Sequence, residues 1–174
     1  MPVRIYTRKG DKGKTRTLYG EISKEDRLAE ALGSIDELNS WIGLVRSNLR
    51  GRMGDDVDLN SELKIIQTNL LTIGSSLSGS NKRLGDREVK RLEKFIDRLT
   101  RELPQLKNFI YPMGEIQAAR AVARRAERRV VEISNLRGVE GSAILKYLNR
   151  LSDALFTIAR WVNFKGGIRE EVWK

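Results

Sequence analysis

An all-α fold, a five-helix bundle built as a four-helix bundle plus one helix, is predicted by three observations. Apolar residues recur at steps of three and four through five separate segments, the spacing that lines one face of a helix. Only 3 prolines interrupt 174 residues, and proline is the strongest breaker of helices. The breaks between segments fall on Gly, Ser, Asn and Asp, which stop or cap helices.

The elements follow in order. Residues 1–22 read as a basic arm, with Gly10, Gly13 and Gly20 set among Lys, Arg and Thr, and with Val3-Arg4-Ile5-Tyr6-Thr7 strand-like. Ser23 reads as the N-cap of the first helix, with Glu25 and Asp26 in its first turn. Its stripe is Leu28, Ala31, Leu32, Ile35, Leu38, Ile42, Val45 and Leu49. It ends near Arg50-Gly51, in a loop that holds Gly54 and two aspartates. The second helix runs from about Leu59 to Leu77, with Leu63, Ile66, Leu70 and Ile73 between, and Gly79-Ser80-Asn81 ends it.

Asp86 starts the third helix, whose stripe is Val89, Leu92, Phe95, Ile96 and Leu99. It stops before Pro104, because the residue ahead of a proline is pushed out of the helical region. The segment PQLKNFIYPMG, Pro104 to Gly114, is a loop apolar enough to be packed. A fourth helix covers 115–136, and Gly138 and Gly141 punctuate. Ser142 caps a fifth, with Ile144, Leu148, Leu151, Leu155, Ile158 and Val162, ending at Gly166-Gly167. Helices of about 20 residues are about 30 Å long, enough to close a bundle. The chain reads as one domain, 1–174: arm 1–22, bundle 23–166, tail 167–174.

Composition narrows the chemistry. No window approaches the ~18 apolar residues of a membrane span. The start, MPVRIYTRKGDKGK, has no apolar core of a secretory signal, so a cytoplasmic location is expected. The chain contains no Cys and no His. That excludes disulfides, thiolate chemistry, Ser-His or Cys-His nucleophile pairs and the usual zinc sites. Catalysis would have to rest on carboxylates, Lys/Arg electrostatics, a hard cation such as Mg²⁺ or a reactive substrate. The net charge of +10 points to a polyanion, either nucleic acid or a nucleotide triphosphate.

The run Arg124-Arg125-Ala126-Glu127-Arg128-Arg129 places four arginines in six residues of a core helix. Arg124, Glu127 and Arg128 share one face. Guanidinium groups bind phosphate through paired donors, so an anion beside a packed surface is one reading; a solvated basic stripe is the other. Asp36 and Asn39 on the first helix, and Asn149 and Asp153 on the fifth, interrupt the apolar pattern. They either point to water or orient arginines of the 124–129 cluster, within the chain or across a subunit contact. The arm's Gly, Lys, Arg and Thr residues suit phosphate or Mg²⁺, although GxxxxGK[ST] is not matched.

Together IYTRKGDKGKT, ALGSIDELNSWIGLVRS, FIYPMG, RAVARRAERRVVEIS and YLNRLSDALFTIARWVN resemble the PduO-type ATP:cob(I)alamin adenosyltransferases, in that family's order and almost end to end. The resemblance implies a five-helix bundle forming a homotrimer with active sites between subunits. It implies transfer of the 5′-deoxyadenosyl group of ATP to cob(I)alamin, with release of triphosphate and with Mg²⁺ on the phosphates. By motif, Thr7, Arg8, Lys9, Gly10, Thr15 and Arg16 would wrap ATP, and Lys24 would approach from just after the arm. Arg124, Arg125, Glu127 and Arg128 would contact the nucleotide or order its site, and Asn149 would be a further contact. Asp36 resembles the carboxylate that pairs with an arginine across the subunit boundary, Asp153 would brace the arginine cluster, and Phe109 resembles the aromatic that excludes the axial ligand from the corrin's lower face. A cobalamin reductase and an adenosylcobalamin-dependent enzyme are the implied partners.

That chemistry fits the composition. Co(I) is itself a strong nucleophile, so the missing His and Cys are no handicap. The protein must place C5′ against cobalt and stabilise a departing triphosphate, which are positioning and electrostatic tasks. The chain departs from the family pattern at Lys9, at Met113-Gly114-Glu115 and in a shorter segment between Gly114 and Arg120. Two other readings remain: a family member that binds ATP without the transfer, and a basic helical nucleic-acid binder. Against the latter, few aromatics are placed to stack bases.

Overall fold

The apolar stripes become the walls of one core. The computed structural model describes residues 5–49, 57–139 and 141–174. Within them the elements are β1 (Lys14–Thr17), β2 (Gly20–Ser23), α1 (Arg27–Leu49), α2 (Val57–Leu77), α3 (Asp86–Glu102), α4 (Glu115–Arg137) and α5 (Ala143–Lys165). The five helices are the expected ones, with most ends within two residues and the start of α1 three residues later than expected. The expected strand residues Val3 and Arg4, and the expected helix end and loop between Arg50 and Gly54, lie outside the described residues.

Helix α1 packs against α2 and α4, α4 against α5, and α5 against α3. Tyr147 of α5 accepts a hydrogen bond from Asn69 Nδ2 of α2 at 3.2 Å, closing α2, α1, α4 and α5 around the core. Helix α3 packs on α5, and its Arg91 pairs with Glu62 of α2 at 2.7 Å. Leu38, Ile42, Leu63, Leu70, Ile73, Leu148 and Leu151 are wholly buried. Each such side chain contributes about 1.5–3 kcal/mol relative to exposure.

Two local expectations are corrected. The arm is partly a hairpin: β1 and β2 pair antiparallel, with Thr15 opposite Ile22 and Arg16 opposite Glu21. Ile5, Tyr6 and Thr7 are not strand. The hairpin leans on the end of α2, where Leu18 N donates to Ser78 O at 3.0 Å. Tyr19 covers Gly79, where an added Cβ would lie 3.1 Å from the ring. Second, Ser23 ends β2 instead of capping α1. The cap is Asp26, whose Oδ1 accepts from Leu28 N at 2.7 Å, the bond an N-cap carboxylate makes. Ser23 Oγ accepts from Glu25 N in the preceding turn, at 3.2 Å.

The tail is tied down. Ile110 and Val172 form an antiparallel bridge. Tyr111 N donates to Glu171 O and Trp173 N to Phe109 O, both at 2.9 Å. The loop expected to pack is instead largely exposed, with Leu106, Phe109, Tyr111 and Met113 open to solvent, and backbone bonds to the last residues hold it in place.

Candidate active site

The face that α4 buries decides where its arginines go. Ala119, Ala123, Ala126 and Val130 are fully buried, and their small side chains let α1 and α5 approach on either side. The four arginines then divide by helical phase. Arg125 forms an ion pair with Glu37 of α1. Arg129 Nε lies 3.2 Å from Glu30 of α1, at ion-pair distance but without hydrogen-bond alignment, and its Nη1 meets Glu132 at 2.9 Å. Arg124 and Arg128 occupy the other edge and have no carboxylate partner among the described residues. Arg128 Nη1 donates to the Arg124 carbonyl at 3.1 Å. Between them, Glu127 Oε1 accepts from Asn149 Nδ2 of α5 at 2.9 Å. Arg124, Arg128, Glu127 and Asn149 thus form one patch along the α4–α5 seam.

Asp153 does not join it. Its carboxylate takes Arg150 Nη1 at 2.9 Å, and Arg150 also reaches Glu93 of α3 at 3.2 Å. The i,i+3 neighbour on its own helix wins because no rearrangement is needed to meet it. Asp36 is exposed, and its side chain has no partner among the described residues.

In the arm, Asp11 N donates to Arg8 O and Gly13 N to Gly10 O, at 3.4 and 3.2 Å. Lys24 N donates back to Gly13 O at 2.9 Å. The Lys24 side chain lies over Gly10, where an added Cβ would be 3.3 Å from Nζ. Arg8 has φ +59°, the one non-glycine residue in the left-handed region among those described. That conformation costs about 1–2 kcal/mol and leaves its guanidinium 5.5 Å from the Tyr6 ring centre. Thr7 Oγ1 accepts from Lys9 N at 3.5 Å. Lys14 bonds Glu21 at 2.8 Å, and that bond holds the Glu21 carboxyl below the usual range. Lys24 also lines a small groove of about 470 Å³ with Arg27, Glu30 and Arg129.

Within one chain, no hydrogen bond or ion pair among the described residues joins Thr7, Arg8, Lys9, Gly10, Thr15 or Arg16 to the α4 patch. Phe109 is 79% exposed and meets Trp173 by ring contact, edge-on at 6.3 Å. Trp173 was absent from the sequence-based site, and so was Glu37, since nothing local marks either. Also missed was a third concentration of charge: Arg87, Lys90, Arg91, Lys94 and Arg98 line a groove of about 620 Å³ with Phe95 and Glu62. Its stripe is visible in retrospect at steps of three and four along α3.

A sequence model of the cobalamin adenosyltransferase family matches residues 5–162. The chain belongs to that family. The corrinoid adenosyltransferase of Bacillus subtilis (strain 168) is 42% identical over 175 residues, covering 95% of this chain and 90% of the relative. The corrinoid adenosyltransferase MMAB of Homo sapiens is 38% identical, over 98% of this chain and 73% of its own length. A variant of the PduO-type ATP:corrinoid adenosyltransferase of Lactobacillus reuteri, solved in complex with cobalamin and ATP, superposes with a TM-score of 0.86 at 31% identity, over 98% of this chain and 99% of that one. The family model spans the arm from Ile5 and the bundle as far as Val162, so Thr7 to Lys24, Phe109, the α4 arginines and Asn149 of this adenosyltransferase family member all lie within it.

Proposed function

We infer that the chain is a corrinoid adenosyltransferase. It transfers the 5′-deoxyadenosyl group of ATP to cob(I)alamin, giving adenosylcobalamin and triphosphate. The observation that carries this reading is the match to family members along nearly the whole chain, including a solved complex with cobalamin and ATP. No helix among the described residues is long and apolar enough to cross a membrane, and the reading places the reaction in the cytoplasm.

The geometry supports the following residue roles. Arg124 and Arg128 are the two arginines of the 124–129 run without a carboxylate partner among the described residues, so they are available to a polyphosphate. Arg125 is held by Glu37 and orders the helix. Asn149 holds Glu127 away from the anion's position. The turn at Gly10–Gly13 lets backbone N–H groups approach phosphate, with Thr7, Arg8, Lys9, Thr15, Arg16 and Lys24 supplying charge and hydroxyls. Among the described residues no group of three or more Asp, Glu, His or Cys could hold a metal. In this reading Mg²⁺ comes with the ATP phosphates, where it offsets charge on the leaving group.

Among the described residues no hydrogen bond or ion pair joins the arm to the α4 patch within one chain, which supports a homotrimer in which a neighbour's arm completes each site. Asp36, exposed and unpartnered, is the carboxylate available to an arginine of that neighbour. Phe109, exposed at the loop surface, is the apolar side chain available to the corrin's lower face, where it displaces a donor ligand and makes cobalt easier to reduce. A reductase must supply Co(I), and an adenosylcobalamin-dependent enzyme consumes the product.

The test is anaerobic. Protein, ATP, Mg²⁺ and chemically reduced cobalamin should develop the absorption spectrum of adenosylcobalamin. A folded protein that binds ATP yet leaves the spectrum unchanged would instead be a nucleotide-binding member without the transfer.

A further inference from the structure

We propose that Arg160 is a positioning residue for the corrinoid step, acting on Phe109 by pinning both strands that present it. The proposal rests on the adenosyltransferase reading and concerns a residue that makes no contact with substrate in it. Arg160 lies on α5 with its side chain only 7% exposed. Nε donates to Glu170 Oε1 at 2.6 Å and Nη2 to Glu170 Oε2 at 3.2 Å. The same Nη2 donates to the Pro104 carbonyl at 3.0 Å. One guanidinium thus grips two segments distant in sequence.

Those segments are the two that meet at Phe109. Pro104 precedes Phe109 by five positions, and Glu170 precedes Trp173 by three. Between the anchor and the ring contact stand only the Ile110–Val172 bridge and two backbone bonds. A two-stranded pairing this short is marginal in water on its own. Burial does not rescue it, because Phe109 and Trp173 are 79% and 58% exposed. What remains is the buried fork. Bidentate Arg–carboxylate pairs fix direction as well as distance, and anchoring both segments at one point shortens the loop that must close. Close by, Glu102 accepts from Trp161 Nε1 at 3.1 Å and pairs with Lys165 at 2.7 Å, holding the end of α3 ahead of Pro104.

Arg160→Lys keeps the charge and loses the fork; Glu170→Gln keeps the shape and loses the charge. Both are made in the full chain, and three readouts separate positioning from stability. Hydrogen exchange at the Tyr111 and Trp173 amides should accelerate in each variant while α1 and α4 amides stay protected. The KM for cob(I)alamin should rise about tenfold, the scale of a small misplacement of a reacting partner, with the KM for ATP unchanged. The absorption band of four-coordinate cob(II)alamin, formed with ATP bound, should weaken. Variants with a lowered melting temperature but wild-type exchange at those two amides and wild-type corrinoid KM would overturn the proposal. If Arg160→Lys does not fold, Glu170→Gln, which changes only the tail, gives the same readouts. If the wild type forms no adenosylcobalamin, the functional reading fails, and exchange at the two amides still decides whether Arg160 pins the bridge.

Discussion

Asn149 donates from Nδ2 to Glu127 Oε1 at 2.9 Å across the α4–α5 seam. The bond turns toward α5 a carboxylate that lies, in sequence, between two arginines. Arg124 and Arg128 keep their charge uncancelled because a neutral amide on another helix occupies the acid beside them.

Asn149→Ala should therefore weaken ATP binding without unfolding the protein. Loss of a hydrogen bond to a charged group is worth about 1.5–3 kcal/mol, and Glu127 then turns back on the arginines. Calorimetric titration should show the Kd for ATP rising about tenfold or more. An unchanged Kd would make the Glu127–Asn149 pair a surface ornament.

The arginines of α4 should respond differently to truncation. Arg128→Ala removes the cation proposed for the leaving triphosphate, and kcat should fall about 10²–10³-fold. Arg125→Ala breaks an exposed ion pair with Glu37, which is worth about 0–1 kcal/mol, and turnover should change little. Equal losses in both variants would dissolve the division of the cluster into an α1-facing half and a free half.

Asp36 bears on assembly. Sedimentation of the wild type should give the mass of a trimer, and Asp36→Ala should shift that distribution toward smaller species or raise the KM for ATP. A monomer with full activity would contradict a site completed by a neighbour.

Tyr147 gives a pH prediction. Burial, opposed by the hydrogen bond from Asn69, pushes its phenol above the ordinary value of 10.0. The folded state holds the proton that the unfolded chain releases near pH 10. The phenol's contribution is fully present below that pH and is lost as pH rises toward the folded value. Urea unfolding between pH 8 and 11 should show this alkaline decline. Tyr147→Phe should flatten it while lowering stability near neutrality by about 1–3 kcal/mol, since Asn69 is left unpaired in the core.

The helices were legible because each buries an apolar stripe with period 3.6, and Gly79, Pro104 and Gly138 mark their ends. The hairpin was not, since Lys14–Thr17 and Gly20–Ser23 carry almost no apolar alternation and gain their place from Ser78 and Gly79 in the turn just after α2. The α4 arginines were visible as a run, yet their division was hidden, because Glu30 and Glu37 sit on α1 about a hundred residues away in the chain. The tail looked inert for the same reason: Arg160, Glu170 and Pro104 are unremarkable until the fold brings them to one point.

The docking of Trp173 against Phe109 has a practical side. A polyhistidine purification tag fused after Lys174 would hang beside the very ring assigned to the corrin's underside. It would bring imidazoles, which this chain lacks altogether, within reach of cobalt. Spectra recorded from such fusions would report a ligand field that the enzyme itself never supplies.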